Sequence, residues 1–164
     1  MRDDLSFDDP CLLFALRRES QAFVREFPVQ QRFPAAPCRA RFCGPTWLTV
    51  LVMETGVGSA AVQKALDWAT AAPLLGRVPY RPKLVLSAGF AGALADGYRV
   101  GDIVLADEVA DAEGNCWRTT WPGDLPPGEW RPPIHRGRLL DSPVLVGEPQ
   151  AKRDLGHKHG AVAV

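Results

Sequence analysis

Apolar and polar positions fall into short blocks whose spacing switches between a strand period and a helix period. Residues 11–16, CLLFAL, are continuously apolar, which suits a strand buried on both faces. Helical spacing follows over residues 19–27: Phe23 and Phe27 share a face at i, i+4, with Arg18 and Arg25 turned outward. Pro28, Pro34 and Pro37 break the next stretch. Residues 38–42 then alternate and read as one arm of a hairpin, with Gly44-Pro45 at its turn. Residues 47–53, WLTVLVM, predict a strand running into Glu54-Thr55-Gly56-Val57-Gly58. Ser59 is placed to cap a helix over residues 59–72, where Val62, Leu66, Trp68 and Ala69 recur near helical spacing.

After a connection over residues 73–82, residues 84–107 (LVLSAGFAGALADGYRVGDIVLAD) read as strand, glycine-rich turn, linker and second strand. The first strand stops at Ser87-Ala88-Gly89. The second spans residues 102–106 and is closed by Asp107-Glu108. Residues 109–133 hold Gly114, Gly123, Gly128 and several prolines, with Trp117, Trp121 and Trp130 between them. This composition predicts a long loop, whose tryptophans either cover a pocket or pack the loop down. A short strand at residues 144–146 precedes a charged helix over 148–159, with Leu155 inward and Gly160 as its C-cap. Residues 161–164 begin another apolar strand, and residues 1–10 read as a loose leader. The order of elements predicts an α/β layered domain with a mixed sheet over residues 11–164.

Composition narrows the function classes. The 164 residues suffice for one domain with a core, and Lys+Arg 19 against Asp+Glu 19 supplies no charge excess for nucleic acid or an anionic membrane. No apolar run approaches the ~20 residues needed to cross a bilayer, and the run at residues 11–16 is too short for a signal peptide. A cytoplasmic protein is the expectation. Cys11, Cys38, Cys43 and Cys116 form no C-x-x-C pair and stand at no zinc-finger spacing to a histidine. They read as reduced thiols, and neither a metal nor a cofactor is expected. His135, His157 and His159 fall in loops or on the charged helix and support no Ser-His-Asp or Cys-His arrangement.

Candidate chemistry lies just past three strand ends: Ala15-Leu16-Arg17-Arg18-Glu19, Thr55-Gly56-Val57-Gly58, and Gly89-Phe90-Ala91-Gly92. If the strands are parallel, all three occupy the rim where α/β sheets bind ligands. A carboxylate facing two glycine turns suits acid/base chemistry on a small polar molecule. Taken singly, each feature has a plainer reading. Glu19 opens a helix and favours its dipole, and glycines are common at strand–helix joints. The Gly56-Val57-Gly58 turn is not the dinucleotide fingerprint, because Ala61 stands at the third glycine position, and no Gly-Lys-Ser/Thr completes a phosphate loop.

In order and spacing, the three motifs resemble the nucleoside phosphorylase/nucleosidase superfamily. The likeness is strongest to the 5′-methylthioadenosine/S-adenosylhomocysteine nucleosidase and hopanoid-associated phosphorylase branches. The family pattern A-[ML]-x-x-E is met at residues 15–19, [ST]-G-[IV]-G at 55–58, G-x-A-G-[GA]-L at 89–94, V-G-D-[IV]-V at 100–104, and K-x-x-L with G-A-x-A-V at 152–164. The resemblance implies a three-layer α/β/α phosphorylase-like fold and cleavage of the N-ribosyl bond of a purine nucleoside, of 5′-substituted adenosine type, by water or by phosphate. It implies that Glu19 activates the attacking water and that Gly56, Val57 and Gly58 line the sugar, with Val57 at its 5′ substituent. Gly89, Phe90, Ala91 and Gly92 fall along the base and anomeric side. Partners implied are a small-molecule nucleoside, with phosphate as second candidate, and further copies of the chain, since the family is homo-oligomeric.

Two departures stand out. Phe90 replaces the small hydroxyl residue of many phosphate-using relatives, and Glu148-Pro149-Gln150 stands where nucleosidases often place an aromatic against the base. The family pattern also continues past its A-V-A-V strand to a Met-Glu pair on the ribose hydroxyls and an Asp that protonates the leaving base. The expectation is therefore a fold incomplete at the C-terminus, with negligible turnover by these 164 residues alone. The competing reading is a catalytically inactive remnant, split subunit or interaction module of the same fold.

Overall fold

The computed structural model describes residues 10–45, 48–71, 80–120 and 132–164. The leader at 1–9, Trp47, most of the 73–82 connection, and Trp121 and Trp130 lie outside the described residues. The chain divides into two compact units, Met1–Phe90 and Ala91–Val164.

The first unit runs β1 (Cys11–Phe14), α1 (Arg17–Glu26), β2 (Val29–Phe33), β3 (Arg39–Cys43), β4 (Val50–Glu54), α2 (Ser59–Ala71) and β5 (Val85–Ser87). These strands form a five-stranded sheet in the order β2-β3-β4-β1-β5. Strand β1 pairs in parallel with both β4 and β5, while β2-β3-β4 is antiparallel. The sheet is therefore mixed, and its parallel core strands read as apolar runs because both of their faces are covered.

Period-two alternation assigns the side chains to the two faces. Leu13, Met53, Leu51, Ala40 and Phe42 face α2 and pack with Ala65 and Ala69. Leu12, Phe14, Val50, Val52 and Cys43 face α1 and pack with Phe23 and Phe27, whose rings stack at 4.5 Å. One helix on each face makes this unit the expected α/β/α sandwich. Each buried Leu, Val or Phe contributes about 1.5–3 kcal/mol.

The hairpin turning near Gly44-Pro45 is present as β3 and β4. Gly44 has φ +139°, and a Cβ there would meet the Leu48 carbonyl oxygen at 2.0 Å. Strand β2 is an addition to the sequence reading. Its polar sequence VQQRF hides it between Pro28 and Pro34, and it is stable as an edge strand paired on one side only.

The second unit contains β6 (Ile103–Ala110), β7 (Cys116–Arg118), β8 (Ile134–Leu140) and α3 (Pro149–His159), with sheet order β7-β6-β8. Several sequence expectations are corrected here. Strand β6 runs through Asp107-Glu108 rather than ending there, because Glu108 and Arg138 form an ion pair across β6 and β8. Residues 109–133 are not one loop: Val109 and Ala110 belong to β6, and residues 116–118 pair antiparallel with it. Trp117 is on β7 and exposed, so it does not pack the segment down. His135 lies on β8, not in a loop. No strand forms at 144–146, where Val144 and Leu145 stand in solvent with no pairing partner among the described residues.

Helix α3 matches its expectation. Leu155 packs against Leu94, Leu140 and Ala161, and Gly160 caps the helix at φ +59°. Residues 161–164 form isolated bridges rather than a full strand, Ala163 pairing with Ala93 and Leu139. Among the described residues no helix is long and apolar enough to cross a membrane.

Candidate functional site

The parallel register β4-β1-β5 brings the carboxyl ends of three strands together on one rim of the first unit. Backbone hydrogen bonds stitch that rim: Thr55 N–H donates to Phe14 O at 2.8 Å, Gly56 N–H to Ala15 O at 3.1 Å, and Ala88 N–H to Leu13 O at 2.9 Å. The segments that carry Glu19, Gly56-Val57-Gly58 and Gly89-Phe90 therefore leave the sheet side by side. Ala91 and Gly92 belong to the second unit, where Gly92 exchanges two backbone hydrogen bonds with Val164, at 2.7 and 2.9 Å.

Glu19 is the third residue of α1 and half-buried. Its Oε2 accepts the Leu16 amide at 2.7 Å, the acidic half of a capping box. Its Oε1 accepts the Phe90 amide at 3.0 Å. The first bond is local helix chemistry; the second is not, because it ties the helix start to the glycine turn after β5. Gly89 permits this approach: a Cβ there would lie 2.9 Å from Glu19 Oε1. An ionised carboxylate accepts at about four lone-pair positions, so two remain for a proton or a ligand.

Gly56 and Gly58 have φ +90° and +96°, a region that L side chains rarely adopt. They turn the chain from β4 into α2 and present Val57, which is 77% exposed. Phe90 is 71% exposed, and the Arg18 guanidinium carbon lies 5.8 Å from its ring centroid. Two large apolar side chains thus stand in solvent on the same rim as a backbone-held carboxylate. A cation over an exposed ring contributes about 0.5–1 kcal/mol, so Arg18 restrains Phe90 weakly.

Behind Glu19 lies a polar cluster absent from the sequence reading. Glu54, the last residue of β4, pairs with Arg41 of β3, and both side chains are almost fully buried. Ser20 of α1, 1% exposed, places its Oγ 2.5 Å from Glu54 Oε1, and Arg41 Nη2 donates to that Oγ at 3.3 Å. Arg39, opposite Glu54 in the β3–β4 register, adds a contact at 3.5 Å from a more exposed position. Removing one partner of such a buried pair leaves an uncompensated charge, a cost of about 3–5 kcal/mol. Period-two alternation already puts Arg39 and Arg41 on the face opposite Ala40 and Phe42. The missing information was the strand register, which sets Glu54 beside them.

The second unit holds a separate titratable cluster. Asp102 Oδ2 accepts the Arg99 amide at 2.9 Å and lies 3.1 Å from His135 Nε2, and the Tyr98 and His135 rings are 4.7 Å apart. The Arg99 amide, with help from His135, holds the Asp102 carboxyl below its ordinary value. Burial pushes the Cys11 thiol up to about 12, with Cys38 adding to the shift, and all four cysteines are free. Their chemistry is that of inert packing groups, apart from the exposed Cys116.

The sequence profile of the Phosphorylase superfamily matches residues 13–155. No curated protein matches the sequence. Among solved structures, the 5′-methylthioadenosine/S-adenosylhomocysteine nucleosidase of Helicobacter pylori aligns at TM-score 0.74 and 15% identity, over 96% of this chain and 74% of that one. A futalosine hydrolase mutant from the same organism aligns at TM-score 0.73 and 13% identity, over 96% and 77%. The Streptococcus pneumoniae nucleosidase in complex with 8-aminoadenine aligns at 0.67 and 18%, over 95% and 74%. At these identities the likeness is one of fold.

Proposed function

Because the chain belongs to the Phosphorylase superfamily, we propose that it cleaves the N-ribosyl bond of a purine nucleoside, with Glu19 as the base that activates water. The reading takes residues 11–164 as one phosphorylase-like domain. The observation that carries it is the Glu19 carboxylate, held on the strand rim by the Phe90 amide against the Gly89 turn. In the reaction, a water oxygen bonds to the anomeric carbon as the bond to the base nitrogen breaks. The water proton passes to Glu19, and the base leaves with the bonding electrons and takes up a proton from solvent. Charge on the sugar is cationic in this transition state, so a fixed carboxylate nearby lowers the barrier as well as taking the proton.

Gly56, Val57 and Gly58 line the sugar, and the exposed Val57 offers an apolar surface to a 5′ substituent. Gly89 and Phe90 serve the base side. The names of the fold neighbours, nucleosidases for 5′-methylthioadenosine, support a 5′-substituted adenosine as substrate. Water is favoured over phosphate, because Phe90 offers no hydroxyl to a phosphate oxygen.

The test is adenine release from 5′-methylthioadenosine, measured beside nucleoside-induced shifts of the amide signals of residues 56–58 and 89–90. The expected result is binding at those residues; any adenine release, negligible for these 164 residues alone, falls by about 10²–10⁴ in Glu19→Gln. Release indifferent to Glu19→Gln, or a nucleoside that perturbs none of these signals, overturns the reading. Binding without any release favours a non-catalytic binding module of the same fold.

A further inference from the structure

The buried cluster behind Glu19 has a geometry that plain stability does not require. Glu54 and Arg41 lie on adjacent strands and would pair across the sheet without any helix. Ser20 reaches into that pair from α1 and is the next residue after Glu19. Its Oγ has two acceptors in range, Arg17 O at 3.0 Å and Glu54 Oε1 at 2.5 Å. Its single proton goes to the charged one, and its lone pair accepts from Arg41 at 3.3 Å. The first turn of α1 is thereby fastened to the carboxyl end of β4. Glu54 also leads directly into the Thr55–Gly58 turn, so one side chain ties both rim segments to the sheet.

We propose that the Ser20–Glu54–Arg41 cluster is a positioning element, which sets the first turn of α1 so that Glu19 meets the Phe90 amide. Its catalytic importance rests on the reading of Glu19 as the base. Neither Ser20, Glu54 nor Arg41 touches the nucleoside in this scheme; they act through the seating of the helix. Apolar packing alone does not fix where a helix start sits, since hydrophobic contact is non-directional. A buried hydrogen bond to a charge fixes its direction.

The experiment compares backbone amide signals and hydrogen exchange in wild type, Ser20→Ala and Glu19→Gln. Glu19→Gln defines the Phe90 amide proton shift without the carboxylate acceptor. In Ser20→Ala the Phe90 signal is expected to move towards that value and its exchange to quicken by about tenfold. Leu51, fully buried within β4, should exchange as in wild type. An unmoved Phe90 signal overturns the proposal, as does equal quickening at Phe90 and Leu51, which marks a loss of general stability. Ser20→Cys, of similar volume and weaker donor strength, is the second variant should the alanine form fail to fold, with intermediate values expected and the wild-type signal overturning. Arg41→Lys should retain the wild-type Phe90 signal; its loss there, with Leu51 protected, also overturns the charge-pair arrangement proposed. These signals are read without turnover, so an inactive protein would sink the functional reading and leave the positioning test intact.

Discussion

Glu19 Oε1 and the backbone amide of Phe90 are hydrogen-bonded at 3.0 Å across 71 residues of chain. The contact exists because β1 and β5 are parallel neighbours, so that the residues following each strand leave the sheet on the same rim. It also depends on Gly89, whose missing side chain leaves the space that the carboxylate occupies.

Gly89→Ala should therefore displace the carboxylate rather than unfold the protein. The atom in the way, Glu19 Oε1, is the end of a flexible side chain. A loss of about 0.5–1.5 kcal/mol is expected from the weakened hydrogen bond. Activity should suffer more, because displacement of a general base removes part of its about 10²–10⁴-fold contribution. Thermal unfolding and adenine release measured on the same preparation test this; unchanged activity would show that the Glu19–Phe90 geometry is irrelevant to turnover.

Gly56→Ala and Gly58→Ala should each destabilise the first unit by about 1–3 kcal/mol, through backbone strain alone. Both glycines have φ near +90°, and no atom lies within 4 Å of a Cβ added at Gly58. Gly147→Ala is the control, since it meets open space without a positive φ, and it should fall within about ±0.5 kcal/mol of wild type. Denaturant midpoints compare the three; equal midpoints would rule out strain as the reason for the glycines.

Asp102 should titrate below the ordinary carboxylate range, chiefly because the Arg99 amide donates to it. Its folded value is depressed, so its contribution to stability is present above the unfolded value and is lost as pH falls through the folded one. Carbon-detected titration of the Asp102 carboxyl checks this. In His135→Ala the midpoint should rise only in part, as the Arg99 amide remains. A full return to the ordinary value would assign the effect to His135 instead.

Thiol labelling at neutral pH should modify Cys116 and spare Cys11. Cys116 is exposed, and its thiol, raised by desolvation and the neighbouring Glu108, labels slowly; Cys11 is buried and its thiol is held up to about 12. Mass spectrometry after alkylation, with and without denaturant, reads the order. Prompt labelling of Cys11 in the folded protein would contradict its buried position in β1.

The apolar runs at residues 11–14 and 50–53, the helical spacing of Phe23 and Phe27, and the Gly160 cap were legible in the chain, because each depends on a local period or a local backbone requirement. So were Glu19 and the glycine turns as separate features at strand ends. Strand β2 was not, because a polar edge strand still pairs on its one inner side. Nor were β7 and the run of β6 through Asp107-Glu108, where the cross-strand Glu108–Arg138 ion pair stabilises charged positions inside a ladder. Whether Glu19 was a helix cap or part of a site turned on the neighbour of β1, and sequence periodicity carries no information about which strands lie side by side. The same holds for Ser20, Arg41 and Glu54. Each reads as an ordinary polar residue until the β3–β4 register and the docking of α1 bring them to hydrogen-bond distance. Local patterns state which faces must be buried, but long-range register decides which polar groups meet, because that choice is made by packing between segments distant in the chain.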